Sequence, residues 1–185
     1  MSSIHVWWVG VDAPDEPVLD EVTTEIARVF EVPVTRYHSG ERPADTLDVR
    51  RQQHHSTAIL RWLKLHRPHG ARKLLALTDV DLFIPVLTFV YGEALLDGPC
   101  AVVSTARLGP LAPRHEDAPR ARVRLAKECV HELGHTFGLV HCAAASCVMA
   151  RSINLAAVDG KQATFCSDCR LLYLERLIQQ GHDHE

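Results

Sequence analysis

His131-Glu132-Leu133-Gly134-His135-Thr136-Phe137-Gly138-Leu139-Val140-His141, in one-letter code H-E-L-G-H-T-F-G-L-V-H, is the stretch on which the reading of this chain turns. Arg120–Phe137 is predicted to be a single helix, with Pro119 just before its start and a stripe of Val123, Ala126, Val130 and Phe137. Residues four apart on a helix share a face, so His131 and His135 direct their imidazoles toward one point. Glu132 then reaches a water at that point without ligating an ion there. A catalytic zinc takes three protein ligands and keeps its fourth position open. His141 is the candidate third ligand, but not on a continuing helix, where it would lie about 15 Å along the axis from His131. Zn–N bonds are only about 2.0–2.1 Å. The chain has to stop and turn back. Gly138 permits this, because glycine adopts the left-handed conformation that ends many helices without steric cost. A positive φ is expected there.

Cys142 directly follows the third histidine, Cys147 comes shortly after, and Cys166 and Cys169 form a C-x-x-C. Two cysteine pairs with short internal spacing are the pattern of a closed, tetrahedral structural zinc site. Two disulfides are the competing pattern, and a redox C-x-x-C is a further one. The N-terminus has no basic region, and its apolar stretch is interrupted by His5, so no signal peptide is read there. No run is long enough to cross a bilayer. The expected compartment is therefore the cytoplasm, where cysteines are thiols or metal ligands rather than disulfides. Cys100 and Cys129 match no ligand position and read as small buried hydrophobes.

The 185 residues suffice for one ordinary domain, with 46% apolar and 23% charged residues, as in globular proteins. The formal net charge of −3 gives no field for nucleic acid or an anionic membrane. The sequence leaves the oligomeric state open, with a monomer as the expectation. Twelve histidines against three Tyr and three Trp prompt the search for metal sites.

Outward from the motif toward the N-terminus, short β-like runs alternate with helical ones. Ile4–Val11, Val32–Tyr37 and Lys73–Thr78 read as strands, the last of a kind buried on both faces. Val18–Phe30 is a helix with Leu19, Val22, Ile26 and Val29 on one face, and Thr57–His66 is a second, beginning as early as Val49. Phe89–Tyr91 and Cys100–Thr105 are further strand candidates, and Arg107–Pro119 is a loop. This order predicts an α/β unit with a mostly parallel sheet. Beyond Gly138 the chain is loop-rich until a last helix over Arg170 to about Gln180. One domain is expected, made of an N-terminal α/β part over 1–138 and a metal-stapled C-terminal part over 139–185.

The long motif resembles the metzincin zinc peptidases, whose pattern H-E-x-x-H-x-x-G-x-x-H is followed by a methionine turn. Met149, in C-V-M, stands in that place. Together with C-x-x-x-x-C-x-M and the later F-C-x-x-C, the chain is similar to the archaemetzincin family. T-D-V-D-L-F (Thr78–Phe83), F-V-Y-G-E-A (Phe89–Ala94), V-S-T-A-R-L (Val103–Leu108) and D-G-K (Asp159–Lys161) are similar to family segments in the same order. Thr88 departs from it, standing where an asparagine is expected. The resemblance implies an α/β (α+β) metzincin-like fold, with a twisted mixed sheet and an active-site helix. It implies peptide hydrolysis through zinc-bound water, with Glu132 as general base, and Met149 as a hydrophobic base beneath the metal. It also implies an edge strand over Phe89, Val90, Tyr91, Gly92, Glu93 and Ala94 that pairs with an extended peptide or protein substrate. Two Zn2+ ions per chain are expected, one catalytic and one structural. Endo- and aminopeptidase action are both open.

Two other readings stand beside this one. A zinc-binding or regulatory protein of weak or no activity needs only the histidines, and the presence of Glu132 speaks against it. A zinc hydrolase of a non-peptide amide fits the same residues.

Overall fold

The computed structural model describes residues 3–10, 13–38 and 43–182. In chain order the elements are β1 (Ser3–Trp8), α1 (Glu16–Phe30), β2 (Val34–His38), a 3-10 turn (Ala44–Thr46), β3 (Leu47–Asp48), β4 (Gln53–His55) and α2 (Ser56–His66). There follow β5 (Ala71–Thr78), β6 (Leu82–Phe83), β7 (Gly92–Ala94), β8 (Cys100–Ser104), α3 (Ala118–Thr136), α4 (Leu155–Gly160) and α5 (Ser167–His182). Val11, the end of the first expected strand, lies outside the described residues.

The main sheet has the order β2-β1-β5-β8-β7. Its first four strands run parallel, and β7 closes one edge antiparallel to β8. The sheet is therefore mixed and mostly parallel, with helices on both faces. Alternation along the central strands sorts the core into two layers. Leu75, Leu77, Ala101 and Val103 pack with α1 and α3, whereas Leu74, Ala76, Cys100 and Val102 pack with Ile59, Leu60 and Leu63 of α2. Cys100 and Cys129 are both fully buried, as expected of small hydrophobes.

α1 begins with Glu16 and Pro17 in its first turn, as helix N-termini favour. It buries Val18, Val22, Ile26, Val29 and Phe30 and ends where Glu31 turns left-handed at φ 54°. α5 closes over the far end of this layer. Phe30, Phe137, Phe165 and Tyr173 stack into one aromatic cluster, and the Tyr173 hydroxyl donates to the Phe30 carbonyl at 2.7 Å.

Three local expectations are corrected. α2 starts at Ser56 rather than near Val49, because Gln53–His55 is drawn into a strand pairing with Leu82–Phe83. Gln52, at φ 54°, could not belong to a helix. Phe89–Tyr91 is not a strand of the main sheet. Val90 makes a single antiparallel bridge to Leu82, and the regular edge strand is Gly92–Ala94. Val123 is 52% exposed and off the inward face of α3. From Arg124 onward that helix is buried nearly all round, between the sheet and the C-terminal segment, so its apolar period carries little information. The small sheet β3-β4-β6 and the short helix α4 have no counterpart in the sequence reading.

Candidate active site

α3 carries His131 into a cleft between the Val86–Gly92 segment and the Arg151–Ile153 segment, with the His135 ring beside it at 4.7 Å between centroids. The cleft has a volume of about 430 Å³, and Glu128, His131, Glu132 and His141 line it. The helix ends at Gly138, whose φ is +85°. Its N–H donates to the His135 carbonyl at 2.9 Å, and the N–H of Leu139 reaches back to the Gly134 carbonyl at 3.1 Å. This pair of bonds is the Schellman arrangement for stopping a helix with a left-handed residue. It turns the chain so that His141 faces the two helical histidines, with ring centroids 5.3 Å and 4.9 Å away.

The turn also orients His135. The Leu139 carbonyl accepts from His135 Nδ1 at 2.7 Å, and the Val148 carbonyl accepts from His131 Nδ1 at 2.8 Å. With both Nδ1 atoms donating, both Nε2 atoms present lone pairs, and these two nitrogens face each other at 3.1 Å. Two acceptors so placed repel unless a cation lies between them. Nitrogens about 2.1 Å from a tetrahedral ion would lie about 3.4 Å apart. The donor atoms of all three histidines fall within 4.8 Å of one another. The set fits zinc, and the backbone carbonyls fix its tautomers as outer partners of metal-bound histidines commonly do.

Desolvation favours the neutral form of all three imidazoles, least at the exposed His141. It pushes the pKa of His131 well below the ordinary value, helped by the Lys161 charge, and lowers His135 and His141 as well. Neutral imidazole is the ligating form. Glu132, also buried, has its carboxyl raised well above the usual range by desolvation and then by neighbouring Glu128, while Lys161 acts the other way.

Glu132 is packed under the edge strand. A Cβ at Gly92 would meet Glu132 Cγ at 2.6 Å and the Val102 carbonyl at 2.7 Å, so only glycine lets β7 cross the helix here. Met149 is fully buried against the opposite side of α3, where Gly134 leaves it room. Of the expected edge segment, Phe89–Gly92 lines the cleft, while Glu93 turns away to accept from Ser56 and Thr57 at the start of α2. Thr88 also lines the cleft, and its carbonyl is tied by Arg51 and Gln53 at 3.0 Å each.

Behind His141 the four cysteines converge, all unpaired thiols, with donor atoms within 4.8 Å of one another. Cys142 Sγ and Cys166 Sγ are 3.8 Å apart. That is too long for a disulfide of about 2.05 Å, and close to the ~3.8 Å between thiolates on a tetrahedral zinc. The N–H groups of Ala144 and Cys166 point at Cys142 and Cys147 sulfurs, 3.4 Å and 3.3 Å away, as thiolates require.

Glu128 and Lys161 have no assigned role in the sequence reading. Their side chains pair at 2.8 Å, almost wholly buried, and Ser152 adds a bond to Glu128 at 3.2 Å. Lys127 donates to the carbonyls of Val158 and Asp159, and Arg124 grips Asp159 with two bonds of 2.7 Å. The D-G-K segment is thus a strap along α3. Glu128 lies one turn before His131 on the ligand face, a signal that the sequence did contain.

The fold and this site define a zinc metallopeptidase. The sequence profile of Peptidase family M54 matches residues 49–176. An archaemetzincin of Methanocaldococcus jannaschii is 35% identical over 160 residues, 85% of this chain and 78% of that protein. One of Methanopyrus kandleri is 47% identical over 109 residues, 59% of each chain. The crystal structure of the Methanopyrus kandleri archaemetzincin superposes with a TM-score of 0.85 at 32% identity, covering 96% of both chains. That from Archaeoglobus fulgidus, complexed with malonate, gives 0.78 at 30% identity over 92% of this chain and 99% of its own. The chain belongs to the archaemetzincins, Peptidase family M54. Among the described residues no helix is long and apolar enough to cross a membrane.

Proposed function

We propose that the chain hydrolyses peptide bonds at a zinc held by His131, His135 and His141, with Glu132 as general base, and that a second, structural zinc is held by Cys142, Cys147, Cys166 and Cys169. The observation that carries the reading is the convergence of three imidazoles beside one buried carboxyl group in an open cleft. Zinc, when bound there, polarises the scissile carbonyl and makes water acidic enough to ionise near neutral pH. Glu132 takes the proton from the attacking water and passes it to the leaving amine. Its desolvated carboxylate has a higher proton affinity than one in water, which suits a base working near neutrality. Met149 supports the ligand helix from below, and Gly138 makes the turn that brings in His141.

Substrate binds along the edge strand. Tyr91 and Leu95 are the residues whose backbone bonds to Ser104 and Cys100 flank the β7–β8 pair. By antiparallel alternation Gly92 and Ala94 then present their N–H and C=O groups to the open side. An extended peptide paired there passes Gly92, directly above Glu132. Such main-chain pairing gives affinity with little sequence choice. The protein acts as a monomer on peptides or proteins, in the cytoplasm, where reduced thiols persist. It is one catalytic domain, with residues 139–185 as its zinc-stapled part.

Peptide-library turnover by the zinc-loaded wild type and by Glu132→Ala tests this. The variant should keep its zinc and lose about 10²–10⁴-fold in rate. Zinc-loaded wild type that cleaves no peptide but cleaves small amides would replace the reading with a non-peptide hydrolase. No turnover on either would leave a zinc-binding protein.

A further inference from the structure

The cleft holds one positive charge that peptide hydrolysis does not use. Arg151 is exposed and lines the same cleft as His131, Glu132 and His141. Its main chain is firmly placed. The preceding Ala150 is buried, its N–H donates to the Cys147 carbonyl at 2.9 Å, and its own carbonyl accepts from Lys161 at 3.4 Å. Among the described residues the guanidinium has no carboxylate partner. The carboxylates nearest in the cleft are engaged elsewhere, Glu128 with Lys161 and Ser152, and Glu132 packed beneath Gly92.

Around this charge the cleft is apolar. Val86, Leu87 and Ile153, exposed by 84%, 51% and 72%, form parts of its two walls. A guanidinium matches a carboxylate with two parallel hydrogen bonds. In open water such a pair is worth little. A peptide seated between those apolar walls excludes water from the pair, and the lower local dielectric strengthens it. We infer that Arg151 is a carboxylate-binding subsite, through which the cleft selects peptides that place an acidic side chain or a C-terminal carboxylate beside the histidine site. This rests on the peptidase reading and names its substrate class.

Zinc-loaded full-length protein is assayed on matched peptides carrying Glu or Gln, scanned through the positions on either side of the cleaved bond, each with a free or an amidated C-terminus. At one position Glu should be favoured over Gln by about tenfold in kcat/KM, the order expected for a charge-assisted pair. Preference for the free over the amidated terminus would instead place the peptide's own end at Arg151. Either ratio, taken within one variant, should fall toward one in Arg151→Ala, survive in part in Arg151→Lys, and fall below one in Arg151→Glu. Equal treatment of acid and amide by the wild type, or a ratio that survives in Arg151→Ala, overturns the subsite.

Binding of the same dye-labelled peptides to zinc-loaded Glu132→Ala, with and without Arg151→Ala, reads the ratio without turnover. An Arg151-dependent acid preference in binding, with no peptide cleaved by the wild type, would sink the peptidase reading and keep the subsite. Equal binding of acid and amide would overturn the subsite whatever the enzyme cleaves.

Discussion

Gly134 and Met149 compete for one volume: a Cβ on Gly134 would lie 2.5 Å from Met149 Sδ and 3.1 Å from its Cε. The glycine inside the histidine motif is therefore the vacancy that the later methionine fills. Met149 has nowhere to retreat, being fully buried, with Phe165 packed on the same spot.

Gly134→Ala gains about 1 kcal/mol of helix propensity. Overpacking a closed core costs about 1–3 kcal/mol, so the net change should be destabilising, read as a lower denaturation midpoint. Adding Met149→Ala removes the clash, and the double variant should lose less than the two single losses together. Strict additivity would mean that the two side chains do not share this space.

Gly92→Ala addresses Glu132, the proposed general base. The new methyl would overlap Glu132 Cγ and the Val102 carbonyl, so the strand or the Glu132 side chain has to shift. Displacing the base by a fraction of an ångström should lower kcat by at least about tenfold, with zinc retained. KM should change less than kcat. Unchanged kcat with full zinc content would show that Glu132 does not depend on this contact.

Much of this architecture is legible in the chain because its signals are local. The motif contains the helix with two histidines on one face, the glycine stop and the return, and the runs at Lys73–Thr78 and Cys100–Thr105 are apolar on both faces because both faces are covered. What escapes is non-local or too short for periodicity. β3, β4 and β6 are strands of two or three residues; β3 pairs locally with β4, and β4 finds its other partner, β6, far along the chain. Glu128 and Lys161 are each unremarkable as charged residues, and only folding reveals that they bury each other. Arg151 reads as an ordinary loop arginine until the cleft forms around it.

Asp159 predicts a pH dependence. The Arg124 hydrogen bonds hold its carboxyl below the ordinary range, outweighing partial desolvation. A depressed folded pKa contributes stability that is present above the unfolded value of about 3.9 and is lost as pH falls through the folded one. Asp159→Asn should cost about 1 kcal/mol at pH 7. The gap between wild type and variant, followed by denaturant midpoints, should narrow below about pH 4. A gap that stays constant into stronger acid would assign the loss to packing instead of charge.

The two proposed metal sites are linked through one loop. Cys142 is next to His141, and its N–H donates to the Met149 carbonyl at 2.9 Å. Within the loop so closed, the Val148 carbonyl holds His131 Nδ1. The sulfur of Cys147 accepts from the Cys166 N–H at 3.3 Å, and Cys142 and Cys166 face each other across the cluster. One loop thus carries two of the four cysteines, Cys142 and Cys147, and, directly after Cys147, the carbonyl that holds His131. The wild type should carry about two zinc ions, and mild chelation should remove the histidine-bound one first, because a closed thiolate site is bound into the folding free energy itself. Loss of both ions together, with no one-zinc stage, would contradict that order. Cys166→Ser should loosen the loop, lowering stability and also weakening zinc at the histidines by about 10–100-fold, the usual cost of losing an outer partner of a ligand. Competition with a chromophoric chelator on the folded variant measures this directly. A Cys166→Ser protein that remained folded and bound histidine-site zinc as tightly as the wild type would show the cysteine cluster to be a staple for the C-terminal segment with no hold on the catalytic ligands.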